Sequence, residues 1–254
     1  ELFPPTANVR RASQQLKLDM AEGDFVTVVG SNGAGKSTLL TAVSGRLLVD
    51  SGGMSIDGNK VHKMSEHKRP RYIGRVFQDP LAGTAPNLTI AENLAIALLR
   101  GKRRGLGFAL TSKRREQFKQ ELERLERGLE NRLTAKVGLL SGGQRQALSL
   151  LMAGFTQPKI MLLDEHTAAL DPQRAELVTT LTEKIVADGN LTTLMVTHNM
   201  EQAIRLGNRL IMMHEGQIVY QADQATKSKL TVRDLLQEFA NIKGATLSDK
   251  AFLG

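Results

Sequence analysis

Cysteine is absent from the 254 residues, so neither a disulfide nor a cysteine-ligated zinc site is open to this chain. The lack of thiols fits a reducing compartment. Tryptophan is also absent and aromatics make up 4%, which leaves few platforms for stacking on nucleic-acid bases. No apolar run approaches the roughly 20 residues that cross a bilayer, and no secretory signal pattern stands at the start. A membrane span is excluded; sitting on a membrane surface is not. The first residue is Glu1 rather than Met, and the expectation is that the natural start, with any opening strand, lies upstream. Acid is scarce: 26 Asp and Glu stand against 34 Lys and Arg, for a net charge of +8. That balance suits phosphate-bearing ligands, anionic membranes or nucleic acid.

Ordinary globular proportions remain, with 41% apolar and 24% charged residues. The basic excess is partly local. Between Arg100 and Arg115 lie Lys102, Arg103, Arg104, Lys113 and Arg114 with no acid among them. This run reads either as a solvated helix face or as a surface facing lipid headgroups or an anionic partner.

Residues 16–29 read as a strand, a turn at Ala21–Asp24 and a second strand over Phe25–Val29, apolar and β-branched as if covered on both faces. A glycine loop follows, then a helix from Lys36 to about Leu48, with Leu39, Leu40, Val43 and Leu47 at helical spacing. Gly52–Gly58 suggests a short hairpin, and Tyr72–Phe77 another strand ending at Gln78. From Asp79 to Phe155 the pattern turns helical, at Ile90–Arg100 and Ser112–Arg127, with Glu123 and Arg127 as an i,i+4 pair. Apolar strands return at Lys159–Leu163, Thr192–Val196 and Arg209–Met213, separated by helices at Gln173–Ala187 and Met200–Leu206. Such alternation implies a parallel sheet. His214–Gln217 reads as a tight turn between two strands, and 226–254 as helix plus loose end.

Gly30-Ser31-Asn32-Gly33-Ala34-Gly35-Lys36-Ser37-Thr38 matches the phosphate-loop pattern between a buried strand and a helix. The pattern has a physical reason. A helix N-terminus presents unpaired N–H groups and the positive end of the macrodipole. Glycines let the backbone wrap close to phosphate oxygens. Lys36 is placed to neutralise the β- and γ-phosphates, Ser37 to reach Mg²⁺, and Thr38 to lie near the α-phosphate. The expected ligand is a nucleoside triphosphate with Mg²⁺. Ile160–Leu163 runs into Asp164 and Glu165 at a strand's C-terminal edge, where open α/β sheets bind ligands. Asp164 is expected to hold Mg²⁺ through water and Glu165 to act as general base. Gln78 and His198 each end a strand: Gln78 suits Mg²⁺ and the attacking water, His198 a hydrogen bond to the γ-phosphate.

Leu140-Ser141-Gly142-Gly143-Gln144 has two readings. Locally it is a capping box, with Ser141 at the N-cap and Gln144 three residues on. Yet two glycines in a first helical turn weaken the helix. They make sense where a phosphate must come close to that helix tip.

Together these stretches resemble the ATP-binding subunit of the ABC transporter family. GSNGAGKST is similar to its Walker A, Gln78 to its Q-loop, LSGGQ to its signature, IMLLDE to its Walker B, AALD at Ala168–Asp171 to its D-loop, and His198 to its switch histidine. The resemblance implies an α/β fold: a RecA-like P-loop NTPase core with an inserted helical subdomain. One ATPase domain would then span 1–254, with core and β-subdomain at 1–78 and 156–225, helical subdomain at 79–155 and helical tail at 226–254. It implies ATP and Mg²⁺ as ligands and a head-to-tail dimer. In that dimer Ser141, Gly142, Gly143 and Gln144 of one copy meet the ATP held by the other, and Asp171 communicates across the interface. It also implies an adenine-stacking aromatic upstream, for which Phe3 is the candidate, equally readable as a strand-packing residue. His166 departs from the family's usual proline after the acids; a pH response or an altered turn would each follow.

The function implied is ATP hydrolysis that energises transport, on the cytoplasmic face of the cell membrane. The wording of the motifs is closest to bacterial importer ATPases of the tryptophan/tyrosine-type or uncharacterised binding-protein-dependent group, for amino acids or a similar small solute. Permease subunits and an extracytoplasmic solute-binding protein would be partners, and nucleic acid is not expected. Three alternatives stand beside it: a soluble ATPase acting on nucleic acid, ribosomes or cluster assembly; an exporter ATPase; and a subunit that binds ATP without turnover.

Overall fold

The structure is a computed structural model that describes residues 16–101, 110–125 and 128–252, with side chains to residue 242. Phe3, Lys102, Arg103, Arg104 and Arg127 lie outside the described residues.

The alternation of apolar strands and helices gives a six-stranded sheet in the order β4-β5-β6-β1-β7-β8. The strands are β1 (Phe25–Gly30), β4 (Ile73–Val76), β5 (Ile160–Asp164), β6 (Thr193–Val196), β7 (Arg209–His214) and β8 (Gln217–Ala222). All neighbours run parallel except β8, which turns back on β7. That turn is two residues long, and Glu215 and Gly216 both have positive φ, which matches the twist of a hairpin. A second hairpin, β2 (Ser55–Ile56) with β3 (Asn59–Lys60), turns on Asp57 and Gly58 in the same way.

Side chains alternate across the strands and sort the core into two faces. Val26, Val28, Leu162 and Val196 pack with Leu39, Leu40 and Val43 of α1 (Lys36–Ser44). On the other face Met161, Leu163 and Met195 meet α4 (Gly142–Gly154) and α5 (Pro172–Gly189). There, too, Val29, Leu210 and Met212 meet α6 (Met200–Arg205) and Leu235 of α8 (Val232–Phe252). Between β4 and β5 the chain forms α2 (Ile90–Leu98), α3 (Ser112–Glu123) and then α4. Phe118 and Leu122 of α3 are fully buried in the same cluster as Leu148 and Leu150 of α4. The short α7 (Gln224–Lys227) precedes α8.

Several expected boundaries shift. Residues 16–20 form no strand, although Leu16, Leu18 and Met20 still pack against the α1 face. The first helix stops at Ser44, because Gly45 takes a left-handed φ of 83° that closes the last turn; Leu47 is therefore off the helix and 46% exposed. The third helix is assigned only to Glu123. The tail is helical to Phe252 rather than loose. Among the described members of the basic run, Lys113 and Arg115 are exposed on α3, while Arg100 donates to the Met152 carbonyl at 3.4 Å.

Candidate functional site

β1 delivers the loop 30–35 to the C-terminal edge of the sheet, and three of its glycines are needed there for different reasons. A Cβ on Gly30 would come within 2.4 Å of the Met213 carbonyl oxygen, so the strand can lie this close to β7 only without a side chain. Gly33 and Gly35 have φ of 81° and 97°, which bulkier residues resist. The Gly216 amide also donates to the Ala34 carbonyl, at 3.0 Å, and ties the loop to the β7–β8 turn.

The loop ends at the N-terminus of α1, and no side chain caps that terminus. Its amides and dipole are thus available to an anion. Lys36, 5% exposed, folds its amine back under the loop and donates to the Gly30 and Ser31 carbonyls at 2.7 and 3.0 Å. Burial lowers its pKa, and the Glu165 carboxylate offsets part of that effect. Loop residues 32–38, Glu165 and His198 line a cavity of about 370 Å³.

Glu165 stands just past β5 with φ of 46°, an unusual left-handed conformation for a glutamate. The neighbouring strand holds it there: its amide donates to the Val196 carbonyl at 2.9 Å. Its Oε1 lies 2.5 Å from His198 Nε2. His198 follows β6, whose continuation is anchored by the Thr197 amide on the Val28 carbonyl at 3.1 Å. Two catalytic candidates from distant parts of the chain thus meet beside the phosphate loop. Asp164 does not line the cavity; it ion-pairs with Arg75, Nη2 to Oδ2 at 3.0 Å. Gln78 is exposed past the end of β4, also away from the cavity lining. Oxygen donors on Ser37, Asp164 and Gln78 are the kind that a hard cation such as Mg²⁺ takes.

Ser141 forms the capping box expected of it. Its hydroxyl accepts from the Gln144 amide at 3.3 Å, and Gln144 Oε1 accepts from the Ser141 amide at 3.2 Å. Gly142 and Gly143 follow in the first turn with ordinary backbone angles. Asp171 caps α5, accepting from the Arg174 amide at 3.0 Å. His166 is buried, and its Nε2 lies 2.9 Å from Thr182 Oγ1. The Thr182 hydroxyl proton already goes to the Val178 carbonyl, so Nε2 is the donor. Burial pushes the pKa of His166 down to about 4, and it stays neutral near pH 7. It shapes the turn.

Four residues escaped the sequence reading. Arg75 is a charge inside an apolar strand, a signal that was legible. Gln146, fully buried on α4, donates to the Phe77 carbonyl at 3.2 Å and fixes the residue before Gln78. Arg69, 1% exposed, donates to the Ala42 and Val43 carbonyls at 2.6 and 2.7 Å and holds the C-terminal end of α1. Lys227 donates to the Leu206 and Gly207 carbonyls after α6. No local pattern announces these last three contacts.

The parallel sheet, the glycine cradle on a bare helix tip and the facing carboxylate define an α/β P-loop nucleoside triphosphatase. The ABC transporter family model matches residues 13–168, and the chain belongs to that family. It is an ATPase that uses ATP with Mg²⁺. It is 46% identical to the tyrosine transport ATP-binding protein of Clostridioides difficile (strain R20291), over 93% of this chain and 94% of that one. It is 35% identical to an aliphatic sulfonates import ATP-binding protein of Agrobacterium fabrum, over 92% of this chain and 81% of the relative. Among solved structures, it resembles an ATP-binding cassette in a dimeric post-hydrolysis state bound to ADP and Pi. The TM-score is 0.74 at 28% identity, covering 87% of this chain and 94% of the other. A second structure of that same bacterial ABC transporter cassette, also dimeric, gives 0.69 at 30% identity, covering 84% and 90%.

Proposed function

We propose that two copies of this chain close head to tail around two ATP molecules, and that closure and hydrolysis drive import of a small solute through separate membrane-spanning subunits. One observation carries the dimeric reading. Gly142 and Gly143 have no reason within the chain to be glycine: the nearest atoms to an added Cβ are Leu170 Cδ2 at 3.5 Å and Arg174 Cδ at 3.4 Å, both ordinary contacts. The helix bears their cost in stability. A phosphate brought by a second copy would need that open approach. The dimeric state of that solved cassette, seen in both of its structures, supports the same arrangement.

Within each half, the amides of 33–38 and the Lys36 ammonium bind the phosphates. Ser37, with Asp164 through water and Gln78, would hold Mg²⁺. When bound, the cation would supply positive charge against the phosphates. Glu165 takes the proton of the attacking water as the water oxygen bonds to the γ-phosphorus and the bond to the β-phosphate oxygen breaks, releasing ADP and phosphate. His198 orients Glu165 through Nε2 and donates to the γ-phosphate as the site closes. Ser141, Gly142, Gly143 and Gln144 of the opposing copy complete the phosphate shell, Asp171 links the two sites, and Phe3 stacks on adenine.

The names of the relatives, one a tyrosine transport and one a sulfonates import ATP-binding protein, support a binding-protein-dependent importer of an amino acid or similar solute. In this reading the region 79–155 docks on the permease at the cytoplasmic face of the membrane, and an extracytoplasmic binding protein supplies the solute. Among the described residues no helix is long and apolar enough to cross a membrane. The test is Glu165→Gln. Turnover falls by at least about 100-fold, as expected for loss of a general base, while ATP affinity is kept and light scattering shows an ATP-dependent dimer. Adding Ser141→Arg abolishes that dimer. A Glu165→Gln protein that stays monomeric with ATP bound would defeat the head-to-tail reading.

A further inference from the structure

Arg75 stands on β4 beside the strand that carries Asp164. Ile73, Ile160 and Leu162 pack on the α1 face, and alternation along paired β4 and β5 puts Arg75 and Asp164 on that face too. The guanidinium makes three contacts. Nη2 lies 3.0 Å from Asp164 Oδ2, with the two side chains 14% and 18% exposed. Nη1 donates to Ser44 Oγ, in the last turn of α1, at 3.3 Å. Cζ sits 4.6 Å from the centre of the Phe77 ring, next to Gln78. One side chain thus joins the acid, the phosphate-loop helix and the approach to Gln78. Among the described residues the Asp164 carboxylate is engaged only through Oδ2.

Stability alone does not account for a cation here. Its Nε is buried without a partner, and a largely buried ion pair returns little or nothing over apolar residues of the same volume. A guanidinium at this place has a different consequence. It fixes the orientation of the carboxylate while its charge opposes a second cation on the same group.

We propose that Arg75 is a positioning residue of the ATPase reaction that orients Asp164 and weakens the site's hold on its divalent cation. The inference rests on Asp164 serving that cation. Release of metal with product would then be easier than a lone carboxylate allows, and the same side chain passes the state of Asp164 to Phe77 and Gln78.

The experiment measures Mn²⁺ binding by electron paramagnetic resonance on the full chain with a non-hydrolysable ATP analogue. Arg75→Met is expected to tighten Mn²⁺ about three- to tenfold, since a like charge a few ångströms away is gone. In steady state it shifts the Mg²⁺ half-activation point downwards by a similar factor and lowers kcat. Arg75→Lys, which keeps the charge, stays within about twofold of wild type in metal affinity. Arg75→Gln repeats the neutral comparison with a donor left beside Asp164, should the methionine variant fail to fold. Unchanged or weaker Mn²⁺ binding in a folded neutral variant overturns the proposal. Asp164→Asn separates the layers: if it leaves Mn²⁺ affinity unchanged, the assignment of Asp164 falls and this inference with it. If it loosens Mn²⁺ while Arg75→Gln changes nothing, only the role of Arg75 falls.

Discussion

At the start of α1, the glycines answer to the chain's own geometry. Gly30 has the Met213 carbonyl where a Cβ would go, and Gly33 and Gly35 hold positive φ. No side chain caps this terminus, and a buried lysine lies beneath it. At the start of α4, Ser141 and Gln144 form a complete capping box, the backbone is ordinary, and nothing crowds Gly142 or Gly143. Ser141 is exposed. The first tip is a site assembled within one chain. The second is a finished helix end with a smooth, open face. Glycine serves both, but at α4 no contact among the described residues calls for it, and the proposed second copy would.

Substitution at the two tips sharpens this contrast. Gly30→Ala forces a methyl into the β7 backbone and is expected to destabilise the fold by about 3 kcal/mol or more, at the severe end of overpacking. Denaturant unfolding measures it, and a loss under about 1 kcal/mol would mean that the loop is less constrained than its contacts imply. The chain after α6, away from both tips, gives a second, smaller effect. Lys227 supports the chain after α6, and burial lowers its pKa to about 8 from an ordinary value of 10.5. The unfolded chain therefore binds more protons between these values, and folding stability rises with pH across that window. Relative to Lys227→Met, the wild type is expected to gain up to about 3 kcal/mol as pH goes from 8 towards 10.5. Parallel melting curves for the two proteins would refute this by moving together. The smallest effect is the most telling. Gly143→Ala is expected to stabilise the nucleotide-free chain by up to about 1 kcal/mol, because alanine is the better helix former. The same change lowers ATPase turnover. A loss of stability would show that the α4 glycine, too, is held by its own fold.

The elements around both tips were legible because their signals are local. Five apolar or β-branched residues before Gly30 announce a covered strand, and Ser141 with Gln144 announces a cap from spacing alone. The end of α1 was misread for a related reason. Leu47 keeps helical spacing, but Gly45 stops the helix through a left-handed turn sealed by Arg69, whose Nε would lie 2.4 Å from a Cβ there. Residues 16–20 carry strand-like alternation without forming a ladder, since a strand needs a paired neighbour and periodicity does not supply one.

The sequence by itself determined which short segments could bind phosphate, which helices were capped and where tight turns fell, because each depends on residues within a few positions of one another. Tertiary structure alone decided the sheet order, the meeting of Glu165 with His198, the Arg75–Asp164 pair, and the grip of Gln146 on Phe77 and of Lys227 on the end of α6. Those partners lie 33 to 89 positions apart in the first three cases named by residue pair and 21 in the last. At such separations the choice of partner is set by how faces pack across the sheet, which local spacing does not encode.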